Sequence, residues 1–403
     1  MDAVAACPNA LTGVRVLDLS QFEAGPSCTE ALALLGAEVV KIENPKGGEA
    51  GRTAFSDPFY FMAYNAGKKS VAVNLKSLAG QALVKKMAKV ADVFVENFAP
   101  GAIGRLGLGY EALSRQNPRL IYAEIKGFGD GSPYEKSLAF DMIAQAAGGV
   151  MSITGEREGR PLKPGPTLGD TGTGMLMAFS IASALFARER TGKGRRLSLA
   201  MQDAMLNYTR TAYIYQARTG RAAPRNGVNS LGGANAPSGI YPSKGGGPND
   251  YLYINTSRAN PDHWPRLLRV IGREDLIGDP RYDSAEARIE RIAEVDEIVS
   301  NWTREHGKEE AMALIGEAGV PAGAIFDCLE LANEPSFERR GIMQVMEYGG
   351  QKMKRPSWPV RFDGLPPRIA PAPSLGADNA EVLANWLGLG AGEIEALGKE
   401  GAL

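Results

Sequence analysis

Histidine and cysteine are scarce in this 403-residue chain, which holds two of the first and three of the second. Cys7, Cys28 and Cys328 have neither CxxC nor metal-ligand spacing, so neither a disulfide framework nor a metal site is expected, and a reducing compartment suits them. His263 stands beside Trp264 in a helix-like run and His306 in a charged one, which reads as structural or surface use. Charge of one sign is also lacking. The 45 basic and 46 acidic residues leave a net charge of −1, which offers no electrostatic case for nucleic acid or an acidic membrane. The longest near-apolar run, 175–187, is shorter than the roughly 18–20 residues that span a bilayer. Met1-Asp2-Ala3-Val4 has no basic-then-apolar character, so no signal peptide is expected and a cytoplasmic protein is the reading. A GxGxxG turn is missing too: the first strand is followed by Ser20-Gln21-Phe22-Glu23-Ala24-Gly25-Pro26, which argues against NAD or FAD.

What is present is an ordinary globular composition, 44% apolar and 23% charged, in a chain long enough for two or three domains. Apolar β-branched runs at 14–19, 38–42, 70–75, 92–96 and 120–125 alternate with helical patterns at 27–35 and 78–90. That alternation predicts an α/β fold with a mainly parallel, Rossmann-like sheet, whose strand C-termini form the ligand-binding edge. The texture turns Gly-, Asn- and Pro-rich at about 221–249, and a smaller α/β unit follows. Its signals are a strand at 251–255, a helix at 262–271 and charged amphipathic helices over 284–317. The expected organisation is a large domain, 1–200, completed by 376–403. A linker at 201–227, a small domain at 228–330 and a return linker at 331–375 complete it, with a final helix at 379–387.

One stretch looks chosen for chemistry: Leu168-Gly169-Asp170-Thr171-Gly172-Thr173-Gly174-Met175. It precedes a run dense in helix formers, read as a buried helix, with Arg188, Arg190 and Lys193 at its far end. Asp170 therefore falls at or just before a helix N-terminus, where free amides and the dipole favour its ionised form. Gly169, Gly172 and Gly174 would leave the backbone open to a ligand. A charged carboxylate there suits a nucleophile, while the opposing reading is an ordinary helix cap.

Several segments together carry a resemblance. They are Leu11-Thr12-Gly13-Val14-Arg15-Val16-Leu17-Asp18, the run 35–43, Gly67-Lys68-Lys69-Ser70, Val95-Glu96-Asn97-Phe98-Ala99-Pro100-Gly101, Asn117-Pro118-Arg119, the Asp170 stretch and Met201-Gln202-Asp203-Ala204. In this order over nearly the whole chain, the set resembles the class III CoA-transferases of the CaiB/BaiF type, and the Asp170 and Met201 segments resemble their formyl-CoA:oxalate branch. The resemblance implies a large Rossmann-like domain and a smaller α/β domain joined by long linkers in an interlocked homodimer. It implies acyl-CoA and carboxylate substrates, with no permanently bound cofactor. It also implies Asp170 as nucleophile, forming a mixed anhydride and then an aspartyl-CoA thioester. Glu23, Ala24, Val73, Asn74, Leu75, Lys76, Asn97, Phe98, Ala99 and Arg105 would line the CoA groove, with Leu138, Ala139 and Phe140 near the pantetheine arm. Lys76 and Arg105 would be phosphate or adenine contacts. Gly232, Gly233, Ala234 and Asn235 would form a shortened glycine lid.

The chain departs from that branch at several positions. Glu23 stands where the branch has glutamine, Asn44 for arginine, Leu138 for lysine, Phe140 for tyrosine and Asp141 for glutamate. Lys41, Lys46 and Arg52 are the candidates to replace the missing cations. The reaction expected is CoA transfer from an acyl-CoA to a small mono- or dicarboxylate, of the formyl-CoA/oxalate or succinyl-CoA type. Two other classes stay open: an α-methylacyl-CoA racemase-type isomerase, which carries a histidine where Phe140 stands here, and a non-catalytic CoA-binding protein.

Overall fold

The computed structural model describes residues 10–53, 57–229, 231 and 235–403. The alternating first half folds into a parallel sheet of six strands: β1 (Arg15–Asp18), β2 (Glu38–Glu43), β3 (Lys69–Ala72), β4 (Val93–Glu96), β5 (Ile121–Lys126) and β6 (Arg195–Ala200). Their order is β3-β2-β1-β4-β5-β6. β1 to β5 fall on the expected runs. β6 gives no such signal, because Arg195, Arg196 and Ser198 are exposed edge-strand residues that break up the apolar pattern.

Alternate strand residues feed two cores. Val16, Val39, Val93 and Ile121 pack under the helices Ala24–Leu34 and Thr173–Thr191. Leu17, Val40, Val71 and Phe94 pack on the other face, under Leu78–Val90 and Asn379–Leu387. The strand order reverses between β1 and β4, so a crevice opens beyond their C-terminal ends. The Thr173–Thr191 helix ends on left-handed Gly192 and is buried on one face only; Phe179 and Phe186 are exposed, which corrects the expectation of a wholly buried helix.

A buried charge cluster shapes the turn after β1. Asp18 lies 3.1 Å from the Lys68 ammonium and 3.7 Å from that of Lys41, all three fully buried at the side chain. Burial pushes the Asp18 carboxyl up, but the two lysines and the Ser20 and Thr29 hydroxyls outweigh it and bring it down to about 2. Lys41 also donates to the Ser20 carbonyl and Lys68 to that of Pro26, tying the turn to the next helix. Asp18→Ala would leave two buried ammoniums uncompensated. The expected loss is about 3–5 kcal/mol of stability, read as a lowered urea midpoint.

The chain divides into two compact units. The first holds the described part of 1–150 with 163–208 and 335–403, and the second holds 151–162 and 209–334. The segment expected as linker, 201–227, carries the helices Met201–Tyr208 and Arg210–Thr219. Met201, Ala204 and Met205 belong to the first unit's core, which draws that helix out of any linker role. The return segment likewise contains an antiparallel hairpin, β10 (Met343–Tyr348) and β11 (Gln351–Pro356). Arg355 pins it through both guanidinium nitrogens to buried Glu30, at 2.7 and 3.1 Å. In the second unit an antiparallel sheet, β7 (Ser238–Pro242), β8 (Tyr251–Asn255) and β9 (Ala322–Ala324), packs with the helices His263–Val270, Ile292–Thr303 and Lys308–Glu317. Among the described residues no helix is long and apolar enough to cross a membrane.

Candidate active site

The crevice between β1 and β4 is walled by the two turns that leave those strands. Asn97 spans it, accepting from the Gln21 N–H and donating to the Gln21 carbonyl, each at 2.8 Å. Phe22 adopts φ +62°, a left-handed conformation that a bulky residue takes only when its surroundings impose it. The Glu49 carboxylate accepts the Phe22 N–H at 3.0 Å, and the Phe22 ring meets Phe140 edge-on at 5.8 Å. Backbone strain therefore sits at the mouth of the crevice and aims an aromatic side chain across it.

Asp170 enters from a single π-helical turn, Leu168–Gly172, continuous with the long helix. It caps neither element, since Thr167 precedes the first and Gly172 the second. The three glycines around it are not open to a ligand, contrary to expectation. A Cβ on Gly169 would lie 2.6 Å from the Asp141 carbonyl oxygen, and one on Gly174 2.5 Å from that of Ala24. Gly172 faces the Tyr208 ring. Glycine here lets Asp170 approach the neighbouring helices closely. Gly169→Ala would push the turn away from Asp141 and displace Asp170. Its expected cost is about 1–3 kcal/mol of stability, read as a lowered urea midpoint.

Asp141 anchors this turn. It is buried, accepts the Gly169 N–H at 2.9 Å and both contacts from the Gln145 amide, and lies 3.2 Å from the Lys163 ammonium. Phe140 precedes it, where the isomerase reading would need a histidine. Both histidines of the chain lie in the second unit.

The helix end does not favour the ionised form of Asp170 as expected. Burial first, then the charges of Glu23 and Asp141, push its carboxyl up to about 7, with Lys163 opposing. The dipole of the helix end loses to these because two carboxylates stand close in a partly desolvated place. Glu23, only 4% exposed, accepts hydrogen bonds from the Thr167 hydroxyl and, at 2.7 Å, from that of Thr171. Burial and the negative charges of Glu23 and Asp170 raise both Tyr60 and Tyr64.

The expected site residues fall in two adjoining cavities. The first, about 320 Å³, is lined by Glu23, Ala24, Asn97, Phe98, Ala99, Leu138, Ala139, Phe140 and Asp170. The second, about 400 Å³, holds Val73, Asn74, Leu75, Lys76 and Arg105, and shares Gln21, Phe98 and Ala102 with the first. Val73 is also core. Lys76 and Arg105 are exposed cations at the rim, suited to phosphates. Of the substitute cations, Lys41 is wholly buried with Asp18, and Arg52 is held by Glu43, Tyr348 and the Pro373 carbonyl. Lys46 alone of the three is exposed. Gly232, Gly233 and Ala234 lie outside the described residues, and Asn235 belongs to the second unit.

Sequence reasoning passed over Gln21, Phe22, Tyr64, Thr167 and Lys126. Thr167 and Thr171, four apart on one helical face, were the available signal for a hydroxyl shelf. The Asn74 segment is fixed by the tail, since Asn74 bonds the Ala402 and Gly401 carbonyls, and no local pattern announces that.

Comparison with known proteins shows the family of the chain. The profile of CoA-transferase family III matches residues 11–379. A formyl-CoA:oxalate CoA-transferase of Streptomyces avermitilis is 35% identical over 98% of this chain and 99% of its own length. One from Escherichia coli O157:H7 is 35% identical over the same shares. Among solved structures, a CaiB/BaiF family protein from Brucella suis superposes with TM-score 0.82 at 30% identity, covering 93% of this chain and 99% of that one. Rv3272 of Mycobacterium tuberculosis gives 0.80 at 29%, covering 93% and 99%.

Proposed function

The chain belongs to CoA-transferase family III, and from that premise we propose that it moves coenzyme A from an acyl-CoA thioester to a small mono- or dicarboxylic acid through Asp170. The observation that carries the assignment of Asp170 is its placement in a half-enclosed cavity beyond β1 and β4, next to a second cavity rimmed by Lys76 and Arg105. The spacing suits a long ligand whose thioester reaches the carboxylate while its phosphates meet cations outside.

In the proposed reaction an Asp170 oxygen attacks the thioester carbonyl and the C–S bond breaks, leaving a mixed anhydride and CoA thiolate. The thiolate attacks the aspartyl carbonyl, releasing the donor's acid and forming aspartyl-CoA thioester. An acceptor carboxylate attacks that carbonyl, again expelling thiolate. The thiolate then takes the acceptor's acyl carbon, and Asp170 returns as carboxylate. Each step exchanges one activated acyl bond for another, so water must be kept out. The apolar walls, Phe22, Phe98, Phe140 and Met201, favour that exclusion.

Coenzyme A is here a substrate, not a resident group. The protein acts as a homodimer in this reading, supported by Phe179 and Phe186, which leave a large apolar strip exposed on one helix. A dimeric mass by light scattering is expected; a monomer at micromolar concentration would count against it. The reading as a whole is tested by offering a panel of acyl-CoA donors and carboxylic acids and following CoA esters by chromatography. Hydroxylamine added during turnover should leave a hydroxamate at Asp170, and a label found elsewhere would remove Asp170 from the scheme.

A further inference from the structure

We infer that Glu23 makes the acceptor a monoanionic acid, one carboxylate on an uncharged remainder, by placing its carboxyl group in the cavity of Asp170 with no free cation beside it. The inference rests on the CoA-transfer reading above.

Glu23 and Asp170 line the same small cavity. With 4% of its surface exposed, Glu23 cannot swing into solvent, and the hydroxyls of Thr167 and Thr171 hold its carboxyl group in place.

The counter-charge a dianion would need is already engaged. Lys126 is the one basic residue lining this cavity among the described residues. Its ammonium donates to both Glu96 oxygens, at 2.6 and 2.8 Å, and to the Phe98 carbonyl at 2.9 Å, which uses its three hydrogens. Lys163, the next cation, lies on Asp141. The remaining walls are apolar or neutral, with Phe22, Leu138 and Phe140 among them. A second carboxylate on the acceptor would thus meet Glu23 with no cation free to receive it, in surroundings that screen poorly. An uncharged tail meets aromatic and aliphatic surface instead.

The test uses acceptor pairs that share a skeleton and differ by one charge, oxalate against monomethyl oxalate and succinate against monomethyl succinate. The wild-type dimer should favour each half-ester by at least about tenfold in kcat/KM. Glu23→Gln keeps size and hydrogen bonding, and should shrink that ratio at least about tenfold while moving the acidic limb of the donor's pH profile to lower pH. Glu23→Asp keeps the charge and should keep the preference. Wild type using diacid and half-ester equally, or a preference unaltered in Glu23→Gln, overturns the inference and leaves the transferase reading intact. If Glu23→Gln does not fold, the wild-type ratios and Glu23→Asp still decide. Wild type that transfers CoA to no acid defeats the parent reading, and this inference with it.

Discussion

Asp170→Asn is expected to lower kcat for CoA transfer by about 10⁴-fold or more while the protein stays folded and still binds acyl-CoA. The amide matches the carboxylate in shape but cannot carry an acyl group in exchange with a thiolate. Residual exchange at a tenth of the wild-type rate would show that the nucleophile lies elsewhere. The same substitution carries a second, opposite expectation. Because burial and the charges of Glu23 and Asp141 raise the Asp170 carboxyl from 3.8 to about 7, the folded chain holds its proton more tightly than the unfolded one. That residue therefore costs no stability below about pH 3.8, and its ionisation costs progressively more as pH rises towards 7. At pH 8 Asp170→Asn should gain on the order of 1–3 kcal/mol, discounted for partial exposure. An inactive variant with a higher urea midpoint than wild type would join both effects in one site, where reactivity is kept at the expense of stability.

The second large effect is on pH. In the proposed reaction only ionised Asp170 attacks, so kcat/KM for acyl-CoA should level off above pH 7 and fall about tenfold per unit below it, reaching roughly 100-fold at pH 5. The groups acting on Asp170 are Glu23 and Asp141, which raise it, and Lys163, which lowers it, and the raised hydroxyls of Tyr60 and Tyr64 stand in the same negative field. Lys163→Ala should accordingly move the limb to higher pH. A profile flat from pH 5 to 8 would mean that the bound thioester, and not these side chains, sets the charge of Asp170.

Much of the fold was legible because its signals are local. The strands β1 to β5 carry apolar residues buried on both faces, and the helices 78–90 and 379–387 announce themselves by period. Where the pattern failed, a distant partner had taken over. The hairpin 343–356 is held within the first unit by Glu30, more than 300 positions away, and the helix 201–208 by a core it joins through Met201 and Met205. Neither tie leaves a mark in its own neighbourhood of the chain.

The candidate site divides in the same manner. Asp170 and the Asn97-Phe98-Ala99 turn stood in an ordered set of motifs, and the resemblance those motifs carry implied Lys76 and Arg105. Their protonation and company were not. A helix start promises a charged aspartate, and reading along the chain could not show that Glu23, 147 positions earlier, returns to the same cavity. By itself, then, the order of residues determined the sheet, the helices that cover it and the carboxylate offered for chemistry, because hydrophobic period and helix propensity act between near neighbours. Tertiary structure alone decided how that carboxylate titrates, which lysines are left free and what charge an acceptor meets, because electrostatics in a desolvated crevice depends on distance in space and not along the chain.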